Sequence, residues 1–160
     1  MARFMIGFFL SLIATGVMAQ DDSVSISFGG DAFLAGPDAT LTTTGTDDLF
    51  MAGETVRAVA DISGSAHAAG RRVSLQAGIG QDAYAAGMDV EVLGSVGGDA
   101  SLAGYDVAVD GSIGGDLRAS GAKLAINGTV AGYAAIAGEN VFLNGVIAGD
   151  ARMRVQQISQ

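Results

Sequence analysis

The chain has 160 residues, 25 of them glycine against a single proline, with almost half of its residues apolar and a formal charge of −9. So apolar a composition excludes a disordered chain, and one proline excludes collagen. The acidic balance excludes nucleic-acid binding through phosphate neutralisation, and the absence of cysteine excludes disulfides.

Residues 1–19 read as an export signal. Arg3 gives the positive start, "FMIGFFLSLIATGV" is an apolar run, and Val17 and Ala19 are the small residues that a signal peptidase reads. A membrane-spanning helix needs about 20 apolar residues, and this run is shorter. Cleavage after Ala19 leaves residues 20–160, beginning at Gln20, as one exported domain, and losing Arg3 makes it one charge more negative. No second apolar run follows, so no transmembrane segment is expected in the mature chain.

From residue 31 onward the sequence repeats every seventeen residues. Gly36, Gly53, Gly70, Gly87, Gly104, Gly121 and Gly138 hold that spacing without a slip. Three residues after these glycines come Ala39, Val56, Val73, Val90, Val107, Leu124 and Val141, and two further on Leu41, Ala58, Leu75, Val92, Val109, Ile126 and Leu143. Apolar pairs two apart follow the strand period, and the Gly, Asp, Asn and Ser between them are turn residues. Each unit therefore holds three short strands and three bends. The predicted fold is all-β: a single-stranded parallel β-helix, triangular in section, of about seven coils of 17 residues with short terminal caps. Stacked at about 4.8 Å per coil, it makes a rod on the order of 34 Å long.

The glycine column is expected to be structural. A corner turned in one or two residues calls for positive φ, and a Cβ there would also strike the neighbouring coil. The repetition of "GGD" with the coil sets it apart from a phosphate-binding loop, which occurs once between a strand and a helix. Asp31, Asp48, Asp82, Asp99, Asp116 and Asp150 form a second column, interrupted by Ser65 and Tyr133. These carboxylates are expected to accept hydrogen bonds from turn amides. A row of calcium ions is the sharper alternative, but no coil offers the six to eight oxygens that calcium takes. No metal or other cofactor is expected.

One outward column carries rings: Phe33, Phe50, His67 and Tyr84, giving way to Ser101, Arg118, Ala135 and Arg152. It is read as a ladder that adds cross-strand stability and as the candidate interaction surface, for a partner protein or a cell-envelope polysaccharide. At the ends, Val24 stands seventeen residues before Leu41, and Phe28 seventeen before Gly45. Phe28 is expected to fold over the space that Gly45 leaves in its aliphatic column. Val155 replaces the corner glycine in the last repeat, with Arg152 and Arg154 beside it. Val24, Phe28, Met153 and Val155 are the end-cap or self-association candidates.

Repeats such as "VAVDGSIGGDLRASGAKLAINGTVAG" resemble those of bactofilins, the polymer-forming cytoskeletal proteins of bacteria, over about residues 29 to 151. The resemblance implies a right-handed β-helix that joins end to end into filaments without a nucleotide and has no catalytic residues. The export signal departs from the cytosolic pattern of that family and moves the expected location to the periplasm, cell envelope or extracellular space. The expected function is a non-enzymatic exported scaffold. The rival enzyme is a hexapeptide-repeat acyltransferase with His67 as general base, but its repeat is six residues and its coil eighteen. A polysaccharide lyase is set aside because Arg57, Arg71, Arg72 and Lys123 are read as lacking a column with acidic partners.

Overall fold

The computed structural model describes residues 23–156; the signal peptide expected at residues 1–19 lies outside them. These residues form strands and turns throughout, wound into stacked parallel coils of about seventeen residues: a β-solenoid. Strand β1 (Val24–Phe28) comes first. β2 (Asp31–Leu41), β3 (Leu49–Ala58) and β4 (Ala66–Leu75) each run along two faces of a coil. The next two coils break at the corner into β5 (Ala83–Ala86) with β6 (Asp89–Val92), and β7 (Ala100–Ala103) with β8 (Asp106–Val109). After the two-residue β9 (Ser112–Ile113), β10 (Leu117–Ile126) and β12 (Ala134–Leu143) again span two faces. β11 (Thr129–Val130) and β13 (Val146–Ile147) join β9 in a separate three-stranded sheet on the third face, and β14 (Ala151–Val155) lies on the first face.

The register is the one that the spacing predicts. Leu49 sits beside Ala66, Val73 beside Val90 and Leu117 beside Ala134, each seventeen residues apart. The aliphatic columns point inward, and Leu49, Leu75, Val92, Val109, Leu117 and Ile126 are fully buried. The buried residues of each coil are small or aliphatic, from Ala83, Ala85, Val90 and Val92 in one to Leu117, Ala119, Leu124 and Ile126 in another.

The corner glycines are required for one of the two reasons expected of them. Of the seven, only Gly36 has positive φ, at 152°. At Gly53, Gly70, Gly87, Gly104 and Gly121 a Cβ would fall against the carbonyl oxygen of the glycine one coil earlier, the loosest approach being 3.0 Å at Gly104. Gly138 meets the Leu124 side chain as well. Backbone stacks directly on backbone at this corner, so the column excludes a side chain by volume, not by dihedral angle.

The N-terminal end differs from expectation. Val24 and Phe28 do not begin another coil. β1 runs antiparallel to β2, pairing Val24 with Ala35, Ile26 with Phe33 and Phe28 with Asp31. Gly29 (φ 65°) and Gly30 (φ 102°) form the two-residue turn between them, with the sign of φ at both positions that a tight hairpin demands. Phe28 is 80% exposed and seals nothing. The space assigned to it is filled by Thr46, which is buried and bridges Ile62, while Gly45 bulges outward with φ 82°. One extra residue between Leu41 and this position thus replaces an aliphatic side chain with a threonine, whose hydroxyl donates to the Thr43 carbonyl at 3.3 Å.

Candidate functional surfaces

The aspartate column is built into the backbone ladder. At this corner the amide of each repeat has no carbonyl to pair with, and a carboxylate one coil earlier takes its place. Oδ1 of Asp82 accepts the Asp99 N–H at 2.8 Å, Asp99 that of Asp116 at 2.8 Å, and Asp116 that of Tyr133 at 2.8 Å. Asp48 serves Ser65 at 2.7 Å, and Asp31 serves Asp48 at 3.3 Å. An unpaired buried amide costs about 1–3 kcal/mol, more than the mutual repulsion of neighbouring exposed carboxylates, about 0.8 kcal/mol at 5 Å in water. A second ladder runs down another corner, where Asn127 Nδ2 donates to Asp110 Oδ1 at 2.6 Å and Asn144 Nδ2 to Asn127 Oδ1 at 2.9 Å.

The ring column forms the ladder that its spacing implies. Phe33 and Phe50 stack at 4.9 Å and 6°, Phe50 and His67 at 4.8 Å and 2°, His67 and Tyr84 at 4.8 Å and 4°. The strand spacing sets the separation, and parallel stacking follows because every strand presents its ring at the same pleat position. The ring faces are therefore covered by one another, and their edges point to solvent. The outer face of Tyr84 looks over the small Ser101 of the next row. His67 is held between Phe50 and Tyr84, with no acidic or nucleophilic side chain among its stacking partners.

The hairpin enlarges this surface in a way the seventeen-residue spacing does not predict. Because Ile26 pairs with Phe33 and Val24 with Ala35, β1 adds a further row to the first face. Its two outward columns now read Ile26, Phe33, Phe50, His67, Tyr84, Ser101, Arg118, Ala135 and Arg152, and Val24, Ala35, Ala52, Ala69, Ala86, Ala103, Ser120, Ala137 and Arg154. Together they line one shallow, open trough along the axis. Two glycines flanked by alternating apolar residues in "VSISFGGDAFL" were the readable signal for it.

The second face corrects the expectation that its basic residues lack acidic neighbours. Arg72, Asp89, Asp106 and Lys123 form one column, with Arg72 Nε 3.9 Å from Asp89 and Lys123 Nζ 3.6 Å from Asp106. Arg71 meets Glu54 at 3.2 Å on the adjoining corner. All of these side chains are at least half exposed or close to it, so each pair contributes about 0–1 kcal/mol. They line up because residues seventeen apart are neighbours, the sheet counterpart of a helical i,i+4 pair.

Of the end candidates, Met153 and Val155 lie in β14, in register with Ile136 and Gly138, and both are exposed. No group of three or more metal-ligating side chains comes together among the described residues. No helix among them is long and apolar enough to cross a membrane. Comparison with family models, with curated proteins and with solved structures finds no match. By its fold the protein is a β-solenoid.

Proposed function

We propose that the chain is a non-enzymatic, exported structural scaffold of the bactofilin kind, whose β-helix associates end to end through its strand edges. The observation that supports this reading is the second face. There Ala39–Leu41 of β2 pairs only with β3, and Asn140–Leu143 of β12 only with β10, so each keeps one side of its backbone unpaired among the described residues, while the Asp38 carbonyl beside the first of them accepts from the Ser23 hydroxyl at 3.1 Å. An unpaired parallel edge is a template for another strand. The rest of the repeat serves rigidity: carboxylates hold amides, asparagines hold one another, and rings stack. Sedimentation of residues 20–160 over a wide concentration range, with electron microscopy of the same samples, tests it. Oligomers that grow with concentration are expected, and a strict monomer overturns the reading. Export rests on residues 1–19, and mass spectrometry of the protein from its host is expected to find Gln20 at the N-terminus.

The second reading, partner binding through the ring column, is favoured by the apolar outward columns of the first face. Its polysaccharide form meets a geometric obstacle. Sugars pack on ring faces, and here the inner faces are covered, leaving only the two end faces, that of Phe33 beside Ile26 and that of Tyr84 above Ser101.

A further inference from the structure

We propose that β1 is a displaceable cap, and that the strand which takes its place is β14 of a second copy; the inference rests on the end-to-end reading and names its joint. β1 and β14 are the two outer strands of the large sheet, and they differ in what they turn toward the core. In β1, Ser27 stands opposite the buried Ala32 and Ser25 opposite Leu34, so serines close this end of the core. In β14, Ala151 and Met153 continue the columns of the buried Ala134 and Ile136, and Met153 is left 39% exposed at the last row. A polar outer face on a terminal unit keeps a repeat array from joining its neighbours. The N-terminal end has such a face, and the C-terminal end does not.

The register of the sheet fits the two ends together. With β2 of the next copy set one row beyond β14, Ala32 of that copy comes beside Ala151, Phe33 beside Arg152 and Leu34 beside Met153, the parallel order of every other row. β1 holds β2 by the five residues Val24–Phe28, and β14 offers the five residues Ala151–Val155, so backbone pairing is balanced in the exchange. Burial then decides, because Met153 leaves water against Leu34 where β1 had placed Ser25. The aspartate ladder also runs on. Asp82, Asp99 and Asp116 each accept the N–H of the residue seventeen later, whereas the Asp150 carboxylate takes no N–H among the described residues. In the joint it meets the Asp31 N–H of the next copy.

Both strands need the same edge of β2, from Asp31 to Ala35, so only one can hold it. β1 is exposed along its whole length, and beyond its backbone pairing it is anchored by the Ser23 hydroxyl on the Asp38 carbonyl at 3.1 Å. Gly29 and Gly30 give it a hinge. On the second face the joint leaves one row between Asn140–Leu143 and the incoming Ala39–Leu41, the row to which the repeat assigns residues 157–160. Addition of β14 to the outer edge of an undisplaced β1 would instead set serines against Met153 and open two rows there. The contact is heterologous, one end of a copy on the other end of the next, and such contacts build open filaments. The hairpin thus restrains growth that the rest of the fold permits.

The absence of cysteine lets a disulfide lock the cap. Residues 20–160 carrying Ser27→Cys and Ala32→Cys, which stand opposite each other, are compared in oxidised and reduced form by sedimentation velocity, with circular dichroism on both. The reduced form is expected to assemble as concentration rises and the oxidised form to stay monomeric. Equal assembly of the two forms overturns the proposal and leaves the end-to-end reading standing. A monomer in both forms and in the unsubstituted chain overturns the two together. A second experiment leaves the cap untouched: a chain carrying only Met153→Cys is mixed with one carrying only Leu34→Cys, and the mixture is oxidised. Disulfide-linked pairs of unlike chains are expected, and their absence overturns the proposal. Asp150→Ala is expected to raise the concentration needed for assembly about tenfold at an unchanged melting temperature; assembly at the parent concentration overturns the joint as drawn.

Discussion

Oδ1 of Asp116 accepts the backbone N–H of Tyr133, seventeen residues later, at 2.8 Å. The bond makes a carboxylate do the work of a missing carbonyl, and what it needs is an acceptor at that point, not a charge. Asp116→Asn, with its amide oxygen placed on the Tyr133 N–H, is expected to stay within about 0.5 kcal/mol of the parent, because relief of repulsion from Asp99 offsets the weaker acceptor and the loss of the exposed Arg118 pair. Asp116→Ala leaves the amide unpaired and is expected to cost about 1–3 kcal/mol. Urea denaturation of the two variants separates these outcomes, and equal losses would mean that charge matters more than the acceptor.

Ser65 is the weak point in the same column. Its hydroxyl stands 3.4 Å from the Asp82 amide, where the carboxylates of Asp48, Asp82, Asp99 and Asp116 reach 2.7 to 2.8 Å. Asn at this position brings a longer acceptor without adding a third neighbouring charge between Asp48 and Asp82. Ser65→Asn is expected to stabilise the fold by about 0.5–1 kcal/mol, seen as a higher urea midpoint at unchanged slope.

The glycines divide into two kinds that substitution will distinguish. Gly29 has positive φ, and nothing lies within 4 Å of the point where a Cβ would stand, so it needs only a residue that tolerates the left-handed region. Gly29→Asn is expected to be nearly neutral. Gly53 has ordinary φ but faces the Gly36 carbonyl, and backbone cannot move aside as a flexible side chain can. Gly53→Ala is expected to cost about 3 kcal/mol or more. Thermal melts of the two variants check the order.

Phe50 stacks on two neighbours and Phe33 on one ring. With aromatic pairs contributing about 0.5–1.5 kcal/mol each beyond burial, Phe50→Ala is expected to destabilise more than Phe33→Ala. His67→Phe keeps both stacking contacts and is expected to leave the melting temperature unchanged or raised. A double-mutant cycle between positions 50 and 67 measures the coupling. A coupling of zero would show that the rings stand beside one another without interacting.

The seventeen-residue spacing made the register legible from sequence, because stacking turns a distance along the chain into a contact in space. Leu117 lies on Ala134 and Phe50 on His67 for that reason alone. What it hid were departures from stacking. "GGD" at 97–99 and 114–116 forms coil corners, where Gly97 and Gly114 rest on the carbonyl of Gly80 and Gly97. The same tripeptide at 29–31 has no earlier coil to rest on, and there the chain doubles back into a hairpin. Identical residues take different conformations according to whether a neighbour lies below. The slip that puts Thr46 in place of Gly45 was hidden in the same way, since a run of threonines gives no aliphatic residue to mark the inward position. Of the candidate surface, the ring ladder was legible, and the row that Ile26 and Val24 add at its foot was not.

The hairpin strand itself sets the last expectation. β1 is exposed along its whole length, yet it occupies the outer edge of β2 from Asp31 to Ala35. The Phe28 ring is exposed and contributes to this only through its backbone, so Phe28→Ser, which places no charge opposite Asp31, is expected to change neither stability nor association appreciably. Removing residues 23–28 altogether uncovers the first-face edge of β2, so that Asp31–Ala35 and Asp38–Leu41 are both unpaired, on either side of the corner at Pro37. A longer free edge is a stronger template. The truncated chain is therefore expected to self-associate at lower concentration than residues 20–160, with the coils beyond the first remaining folded because their own ladders are untouched. Sedimentation velocity of the two chains side by side, with circular dichroism to verify the β content, decides the matter. Unchanged or weaker association on truncation would mean that β1 helps to join copies and does not shield the edge beneath it.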